Sequence, residues 1–242
     1  MTVFKGGRTI YGEAIGILLL DTKFPRLPGD IGNATTFDFP VRYRVVKGAT
    51  PQRLVLDNDE SCLNDFVEAA KELEAEGVRA ITTSCGYLTT FQDAITSAVK
   101  VPVFCSSLML VPVVNRMLPP GSKIGVLTID SRRLHQSTLT AAGITNEPIA
   151  IMGSEAIPEF YNTYPRGAME IDPDEVAGAV VGMVKQLLEK NPDVRAIVCE
   201  AINYAPYAYA VQEATGLPWF DIIDMTKLVY NAVVKTPYQG YL

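Results

Sequence analysis

Val78-Arg79-Ala80-Ile81-Thr82-Thr83-Ser84-Cys85-Gly86-Tyr87 is the stretch that decides the fold of this chain of 242 residues. Apolar and β-branched residues lead into a small polar loop that carries a cysteine, and a helix-compatible segment, 91–99, follows. In open α/β sheets, ligands bind at the loops that follow the carboxyl ends of such strands. Val194-Arg195-Ala196-Ile197-Val198-Cys199 has the same pattern, so the chain contains this arrangement twice.

A second pair of segments repeats in the same order. Ile15-Gly16-Ile17-Leu18-Leu19-Leu20-Asp21 and Ile124-Gly125-Val126-Leu127-Thr128-Ile129-Asp130 are identical at their first, second, fourth and seventh positions, and they lie 109 residues apart. The strands that begin at Val78 and Val194 lie 116 residues apart, and the two cysteines lie 114 residues apart. Repeats at nearly the same spacing indicate an internal duplication, in which we expect the two cysteines to occupy equivalent positions.

Helical segments separate the predicted strands in both halves. In the first half, apolar residues recur at helical spacing within 63–73, and in the second Asp172 is a typical N-cap before a long apolar stripe. This alternation predicts an α/β fold with two pseudo-symmetric halves, each built around a parallel sheet, and with the site at their interface. We expect residues 1–115 and the C-terminal segment 217–242 to form one half, and residues 116–216 the other.

The segment 22–50 has no clear period. It contains Pro25, Pro28 and Pro40 and scattered charges. Two interpretations stay open: an ordered ligand loop at the carboxyl edge of the first strand, or an irregular connection.

The composition argues against several classes of partner. The net charge is −6 and is spread along the chain, whereas nucleic acids and anionic membranes require a basic patch. No apolar run reaches the roughly 18–20 residues of a membrane span, and the N-terminus does not have the pattern of a secretory signal. We therefore expect a cytoplasmic protein with no nucleic-acid or membrane partner, assembled as a homo-oligomer, most simply a dimer.

The residues available for chemistry are few. The four cysteines lie far apart, without a C-x-x-C pair, and His135 is the single histidine. Zinc-site spacing, a G-x-G-x-x-G motif and a Walker-type phosphate loop are all absent from the sequence. We therefore expect no metal, and acid–base chemistry must use cysteine, carboxylate, lysine or tyrosine.

Cys85 and Cys199 are the candidate catalytic residues. Each follows a predicted strand, where backbone amides of the next loop and helix can stabilise a thiolate and lower its pKa. The halves of a duplicated fold bring equivalent loops face to face. We therefore expect two thiols on opposite sides of one small ligand, one acting as acid and the other as base.

Through Ile15–Asp21, Thr82–Tyr87, Ile124–Ser131 and Val198–Asn203, the chain resembles the aspartate/glutamate racemase superfamily over nearly its whole length. That superfamily includes amino-acid racemases, hydantoin racemases, maleate isomerases and arylmalonate decarboxylases. The resemblance implies an enzyme that uses neither pyridoxal phosphate nor a metal. One thiolate removes the proton α to a carboxylate or carbonyl, and the other thiol returns a proton to the opposite face. By this resemblance, those roles fall on the two cysteines.

Departures from the superfamily pattern narrow the predicted activity. Racemases of the glutamate type have the sequence Cys-Asn-Thr at the first cysteine and Cys-Thr at the second. This chain has Cys85-Gly86-Tyr87 at the first and Cys199-Glu200-Ala201 at the second. We predict a cofactor-independent racemase or epimerase, hence an isomerase, acting on a small carboxylate or cyclic amide that is amino-acid-derived or hydantoin-like. The alternatives are a maleate-type cis–trans isomerase with a covalent cysteine adduct, and a non-catalytic small-molecule binding protein on the same scaffold.

Polar residues at the strand ends are candidates for substrate binding. The amides of Gly86 and Tyr87 could hold a carboxylate or the enolate-like oxygen of a transition state. A carboxylate beside a thiol raises the pKa of that thiol if the two groups face each other. The predicted substrate-binding residues are Asp21, Ser84, Gly86, Tyr87, Ser131 and Glu200.

Overall fold

The strands of the protein form two parallel sheets, each with four strands. The structure is a computed structural model that describes residue 3 and residues 6–241. In the first sheet the order is β2-β1-β3-β4, and in the second it is β6-β5-β7-β8. All pairings between neighbouring strands are parallel, and the two orders are the same, which confirms the predicted pseudo-symmetric α/β halves. The strands are β1 (Ile15–Leu20), β2 (Val41–Val46), β3 (Ala80–Thr83), β4 (Val103–Phe104), β5 (Lys123–Thr128), β6 (Ile149–Gly153), β7 (Val194–Cys199) and β8 (Trp219–Phe220).

Helices connect and cover the strands. The α-helices are α1 (Leu63–Glu76), α2 (Gln92–Ala98), α3 (Val111–Met117), α4 (Gln136–Ala141), α5 (Pro158–Thr163), α6 (Pro173–Lys190), α7 (Ala208–Thr215) and α8 (Ile222–Val233). Short 3₁₀ helices span Gly86–Phe91, Ser107–Leu110 and Ile202–Tyr207, and a π-helical turn spans Gln52–Leu56.

The ends of α1 and α6 follow from their sequences. Gly77 ends α1 in the left-handed conformation, with φ of 101°, which a residue with a side chain rarely adopts. Asp172 precedes α6 and accepts hydrogen bonds from the backbone N–H groups of Asp174 and Glu175. Gly77 therefore marks the end of α1, and Asp172 marks the start of α6, as their residue types predict.

The segment 22–50 contains a strand that the sequence did not reveal. Its residues 41–46 form β2, which pairs along its whole length with β1 at the edge of the first sheet. Arg42 and Arg44 point from this strand to Glu76 of α1 and form ion pairs with it. An edge strand is only partly buried, so it tolerates these charges and shows no continuous apolar pattern.

The last helix of each half packs on the sheet of the other half. Val111 and Val114 of α3 lie in an apolar cluster with Val126 of the second sheet. Ile222 and Ile223 of α8 lie in a cluster with residues of the first sheet, among them Ile15, Ile17 and Ala80. The exchange joins the two halves through buried apolar surface. Removal of such surface from water is the main favourable contribution to the free energy of folding.

The boundaries expected from the sequence, 1–115 with 217–242 and 116–216, stay a prediction, and the structure shows which segments contact each sheet near them. Trp219 and Phe220 pair with β7, so the second sheet continues past residue 216, whereas α8 packs on the first sheet. Leu108 and α3 pack against the second sheet, although they precede residue 116. The spacing of the sequence repeat did not reveal these contacts, because they depend on how the strands pair and how the helices pack on the sheets.

Candidate active site

Strand register defines which residues of the two halves are equivalent. Gly16 of β1 lies beside Ile81, and the matching Gly125 of β5 lies beside Ile197. The N–H of Ser84 donates to the carbonyl of Leu18 at 2.9 Å, and the N–H of Glu200 donates to the carbonyl of Leu127 at 2.8 Å. Ser84 and Glu200 are therefore equivalent, 116 residues apart.

The register overturns the expected equivalence of the two cysteines. Counting on from the pair of Ser84 and Glu200, the residue equivalent to Cys85 is Ala201, and the residue equivalent to Cys199 is Thr83. Cys85 precedes the 3₁₀ helix Gly86–Phe91 just as Ala201 precedes the 3₁₀ helix Ile202–Tyr207. The spacing of 114 residues between the cysteines, against 116 for their strands, was the sign of this offset.

A cavity of about 390 Å³, including its open mouth, lies between the carboxyl ends of the two sheets. It contains five of the eight predicted site residues: Ser84, Cys85, Gly86, Tyr87 and Glu200. Residues of both halves and of the segment 22–50 complete its wall, which places the cavity at the interface of the halves. The other lining residues are Leu20, Thr22, Phe24, Arg26, Pro51, Val55, Ile129, Tyr164, Pro165, Ala201, Ile202 and Asn203.

Three predicted site residues lie outside this lining. Cys199 is fully buried within its strand, and its carbonyl accepts a hydrogen bond from Ser107 Oγ. Asp21 is exposed and accepts from the N–H of Gly48 at 3.1 Å, and Ser131 Oγ donates to Glu155. The pair of thiols facing each other across one ligand is therefore not formed, because Cys199 is buried in its strand and the next two residues, Glu200 and Ala201, line the cavity instead.

Cys85 is nearly buried, with 6% of its surface exposed. Burial, and to a smaller extent the negative charge of Glu200, raise the pKa of its thiol to about 12. The N–H groups of Tyr87 and Leu88 hydrogen-bond the sulfur and oppose this rise, as does the positive charge of Arg26. Ionising the thiol in this buried position is thus costly in free energy, but the amides that stabilise a thiolate are already in place.

Glu200 is completely buried at the end of β7. Its Oε2 accepts from Thr128 Oγ1 at 2.7 Å, and its carboxylate also accepts from the N–H of Ile129. Its Oε1 has no hydrogen-bond partner among the described residues. Burial raises the pKa of this carboxyl from 4.5 to about 7, against the lowering effect of the two hydrogen bonds.

A cluster around Arg26 forms the charged wall of the cavity. Arg26 Nη1 donates to Asp30 Oδ1 at 2.7 Å, and Nη2 donates to Thr22 Oγ1 at 3.0 Å. The guanidinium lies over the ring of Phe24, 4.5 Å from its centre, and Asn203 Nδ2 fixes the other oxygen of Asp30 at 3.0 Å. These residues could not be identified individually from the sequence, although a ligand loop was one of the two interpretations of the segment 22–50.

Two further observations concern metal binding and membrane insertion. Within the described residues, no three His, Cys, Asp or Glu side chains come together as a metal-binding group would require. No helix in that part of the chain has both the length and the apolar character needed to cross a membrane.

Solved structures with a similar fold include racemases and arylmalonate decarboxylase. The chain is similar to a glutamate racemase from Bacillus anthracis, with 14% identity and a TM-score of 0.56, covering 91% of this chain and 81% of that one. It is also similar to an aspartate racemase homologue from Pyrococcus horikoshii OT3, with 16% identity and a TM-score of 0.55, covering 91% and 99%. The protein thus has the fold of the aspartate/glutamate racemase superfamily, which confirms the resemblance seen in its sequence.

Sequence relatives define the family within that fold. The chain is 30% identical over 237 residues to dimethylsulfoniopropionate lyase 7 of Emiliania huxleyi, covering 94% of this chain and 69% of the relative. It is 28% identical over 234 residues to a dimethylsulfoniopropionate lyase of Durusdinium, covering 94% and 77%. The chain belongs to the dimethylsulfoniopropionate lyase family. No protein-family model matches it.

Membership in this family corrects the predicted activity. The expected racemase or epimerase, and the maleate-type isomerase considered beside it, are wrong, because the relatives are lyases. A non-catalytic binding protein is not supported either. The error has a chemical reason: racemisation and elimination both begin when a base removes the proton next to a carboxylate. They differ in what happens to the carbanion, which depends on whether the substrate carries a leaving group.

Proposed function

We propose that this protein is a lyase that cleaves dimethylsulfoniopropionate, or a closely related sulfonium carboxylate, by elimination. Two observations support the proposal: the family of its relatives, and a cavity that contains a thiol, a cationic side chain and a carboxylate. A sulfonium carboxylate is a zwitterion, so it needs a site that accommodates both a negative and a positive group.

The reaction needs one base. The thiolate of Cys85 takes the proton from the carbon next to the substrate carboxylate. The electrons of that C–H bond form a carbon–carbon double bond, and the neighbouring carbon–sulfur bond breaks with its electrons leaving on sulfur. The products are neutral dimethyl sulfide and acrylate, and the proton remains on Cys85. Atoms and charge balance without a cofactor, an oxidant or a reductant.

Within the cavity, the observation that favours elimination over racemisation is its asymmetry. Cys85 is the one cysteine that lines it among the described residues, and Ala201 stands at the equivalent position of the other half. A racemase must return a proton to the opposite face of the carbanion, whereas an elimination expels a neutral sulfide and needs no acid there. A cavity with one thiol, and with an alanine at the equivalent position of the other half, suits elimination.

Other residues of the cavity match the two charged ends of the substrate. Arg26 is held by Asp30 and Thr22 and can bind the substrate carboxylate, which also makes the neighbouring proton more acidic. Phe24 and Tyr164 pack edge to face in the same wall, 5.2 Å between ring centres. Aromatic rings attract cations, so this wall is suited to the sulfonium methyl groups.

The test is an assay of the purified protein with dimethylsulfoniopropionate, with dimethyl sulfide measured by gas chromatography and acrylate by liquid chromatography. We expect equal amounts of the two products, and a loss of at least about 100-fold in kcat for Cys85→Ser, because general acid–base groups contribute on this scale. Cys199→Ala is the matched control, and we expect it to keep its activity within a few fold. Wild-type protein that releases no dimethyl sulfide, or a Cys85→Ser variant as active as Cys199→Ala, would contradict the proposal.

A further inference from the structure

The cavity contains a buried carboxylate oxygen that its own surroundings do not satisfy. Glu200 Oε2 is held by Thr128 and the N–H of Ile129, whereas Oε1 has no partner among the described residues. An unpaired oxygen on a fully buried carboxylate costs free energy, so a partner is expected to come from the contents of the cavity. The equivalent residue of the first half is Ser84, whose Oγ is used within its own sheet by the N–H of Leu20. Glu200 thus places a carboxylate at the position where the first half has a serine whose Oγ is already engaged.

The chain brings this oxygen to the loop of Cys85. A Cβ built on Gly86 would overlap both the backbone oxygen and the Oε1 of Glu200, so the close approach requires glycine at position 86. Gly86 follows Cys85 directly, and the charge of Glu200 acts on the Cys85 thiol. The unpaired oxygen and the sulfur therefore belong to the same corner of the cavity, one contributed by each half.

We propose that Glu200, and not a second cysteine, is the acid–base partner of Cys85. This inference rests on the proposed function for its role in turnover. Before the reaction, the proton of the Cys85 thiol moves to Glu200 Oε1, which gives a thiolate beside a neutral carboxyl group. The thiolate then takes the substrate proton and becomes a thiol again, and the proton on Glu200 passes to water as the products leave. One proton is released for each molecule cleaved, which equals the proton lost by the substrate.

The surroundings of Glu200 leave it as the group that titrates near neutral pH. The titratable groups that face it are Cys85 and Tyr87 from the first half, and Cys199 and Tyr204 from the second. Burial raises the pKa of all four above their ordinary values, which already lie well above 7. A thiol and a carboxylate buried in one corner do not both ionise readily, so a single proton is shared between them.

The test is the rate at which iodoacetamide alkylates Cys85 between pH 5 and 9, followed by peptide mass spectrometry. With a shared proton, thiolate appears when the pair loses its first proton, so we expect the rate to inflect near pH 7 in the wild type. Glu200→Gln should lose this inflection and react only as the pH approaches the pKa of the thiol itself. Glu155→Gln, which changes a glutamate outside the cavity lining, should keep it.

A second variant changes the pKa of Glu200 without replacing Glu200 itself. Thr128→Val removes the hydrogen bond that lowers the pKa of Glu200, so the inflection should move to higher pH. An inflection that persists in Glu200→Gln, or that does not move in Thr128→Val, would overturn the inference.

Turnover separates this role from that of a counter-ion for the sulfonium group. We expect Glu200→Gln to lower kcat by about 100-fold at pH 8, with the KM for dimethylsulfoniopropionate and the Kd for the unreactive zwitterion β-alanine betaine changed less than threefold. A variant that keeps kcat but binds both zwitterions weakly would overturn the acid–base role in favour of a counter-ion. If the wild type shows the inflection but cleaves nothing, the proposed function fails and the proton-sharing pair stands. If the wild type cleaves the substrate but shows no inflection, the proposed function stands and the proton-sharing pair fails.

Discussion

At the scale of single residues, positions 200 and 201 set the chemistry of the second half. A symmetric duplication would place a cysteine at 201 to face Cys85, but the chain has Ala201 there and Glu200 before it. The cysteine that suggested symmetry, Cys199, lies two positions earlier and is buried in its strand. In a β-strand and the loop after it, two positions are about 6–7 Å, which is enough to move a side chain out of a cavity.

Glu200 should make the stability of the protein depend on pH. Its pKa is raised from 4.5 to about 7 on folding, so the folded state prefers the neutral carboxyl. The associated stabilisation is fully present below about pH 4.5 and is lost as the pH rises through about 7. A rise of this size corresponds to about 3 kcal/mol.

We therefore expect Glu200→Gln to be more stable than the wild type at pH 8, by an amount that approaches about 3 kcal/mol, and to lose most of this advantage at pH 5. Urea unfolding at the two pH values measures the difference. An advantage that is the same at both values would show that the ionised carboxylate is not the cause.

At the scale of elements, the turn from β3 into the 3₁₀ helix Gly86–Phe91 positions both the thiol and its amides. The backbone of Cys85 is extended, and the helix then turns the N–H groups of Tyr87 and Leu88 toward its sulfur. The Oγ of Thr83 donates to the carbonyl of Cys105 at 2.8 Å, which ties the end of β3 to the residue that follows β4. Gly86 completes the turn because it leaves room for Glu200.

Gly86→Ala tests this arrangement. The new methyl group would overlap the backbone oxygen of Glu200, which cannot move without its strand, so we expect a loss of about 1–3 kcal/mol in the free energy of unfolding. The variant should also lose most of the lyase activity, because the loop moves away from Glu200. Gly182→Ala is the control: it lies in α6 with open space around it and should stabilise the protein by about 0.5–1 kcal/mol. A Gly86→Ala variant with wild-type stability would show that the contact is not tight.

At the scale of the whole molecule, the exchange of α3 and α8 makes the halves depend on each other. α8 begins at a capping box in which Asp221 accepts from the N–H groups of Ile223 and Asp224, and its apolar residues then pack on the first sheet. The same Asp221 accepts from Trp219 Nε1 at 2.9 Å, on the last strand of the second sheet. One residue therefore joins the edge of one sheet to the helix that covers the other.

Asp221→Ala should destabilise both halves together. Losing the cap is expected to cost about 1–2 kcal/mol. In urea, the fluorescence of Trp219, the single tryptophan, reports the second half, and labelling of the buried Cys62 reports the first. We expect both probes to shift to the same lower midpoint.

Asp172→Ala, at the exposed cap of α6, is the control for a cap within one half. Midpoints that separate in Asp221→Ala would contradict the coupling through α8. Assembly as a homo-oligomer and a cytoplasmic location stay predictions of the sequence.

The sequence by itself determined the local and repeated features. Buried parallel strands are continuous apolar runs, so β1, β3, β5 and β7 and their duplication could be read directly, and so could the placement of Cys85 at a strand end. The strand β2 could not be identified in the same way, because an edge position allows charged residues such as Arg42 and Arg44.

Only the tertiary structure decided which residues face each other across the cavity. Side chains alternate between the two faces of a strand, so an offset of two residues is invisible in a pattern of apolar letters but decides whether Cys199 or Ala201 reaches the site. The meeting of Glu200 with Gly86, and of Arg26 with Asn203 through Asp30, joins residues more than 100 positions apart. Such contacts depend on strand register and on the packing of the two halves, which the order of residues along the chain does not display.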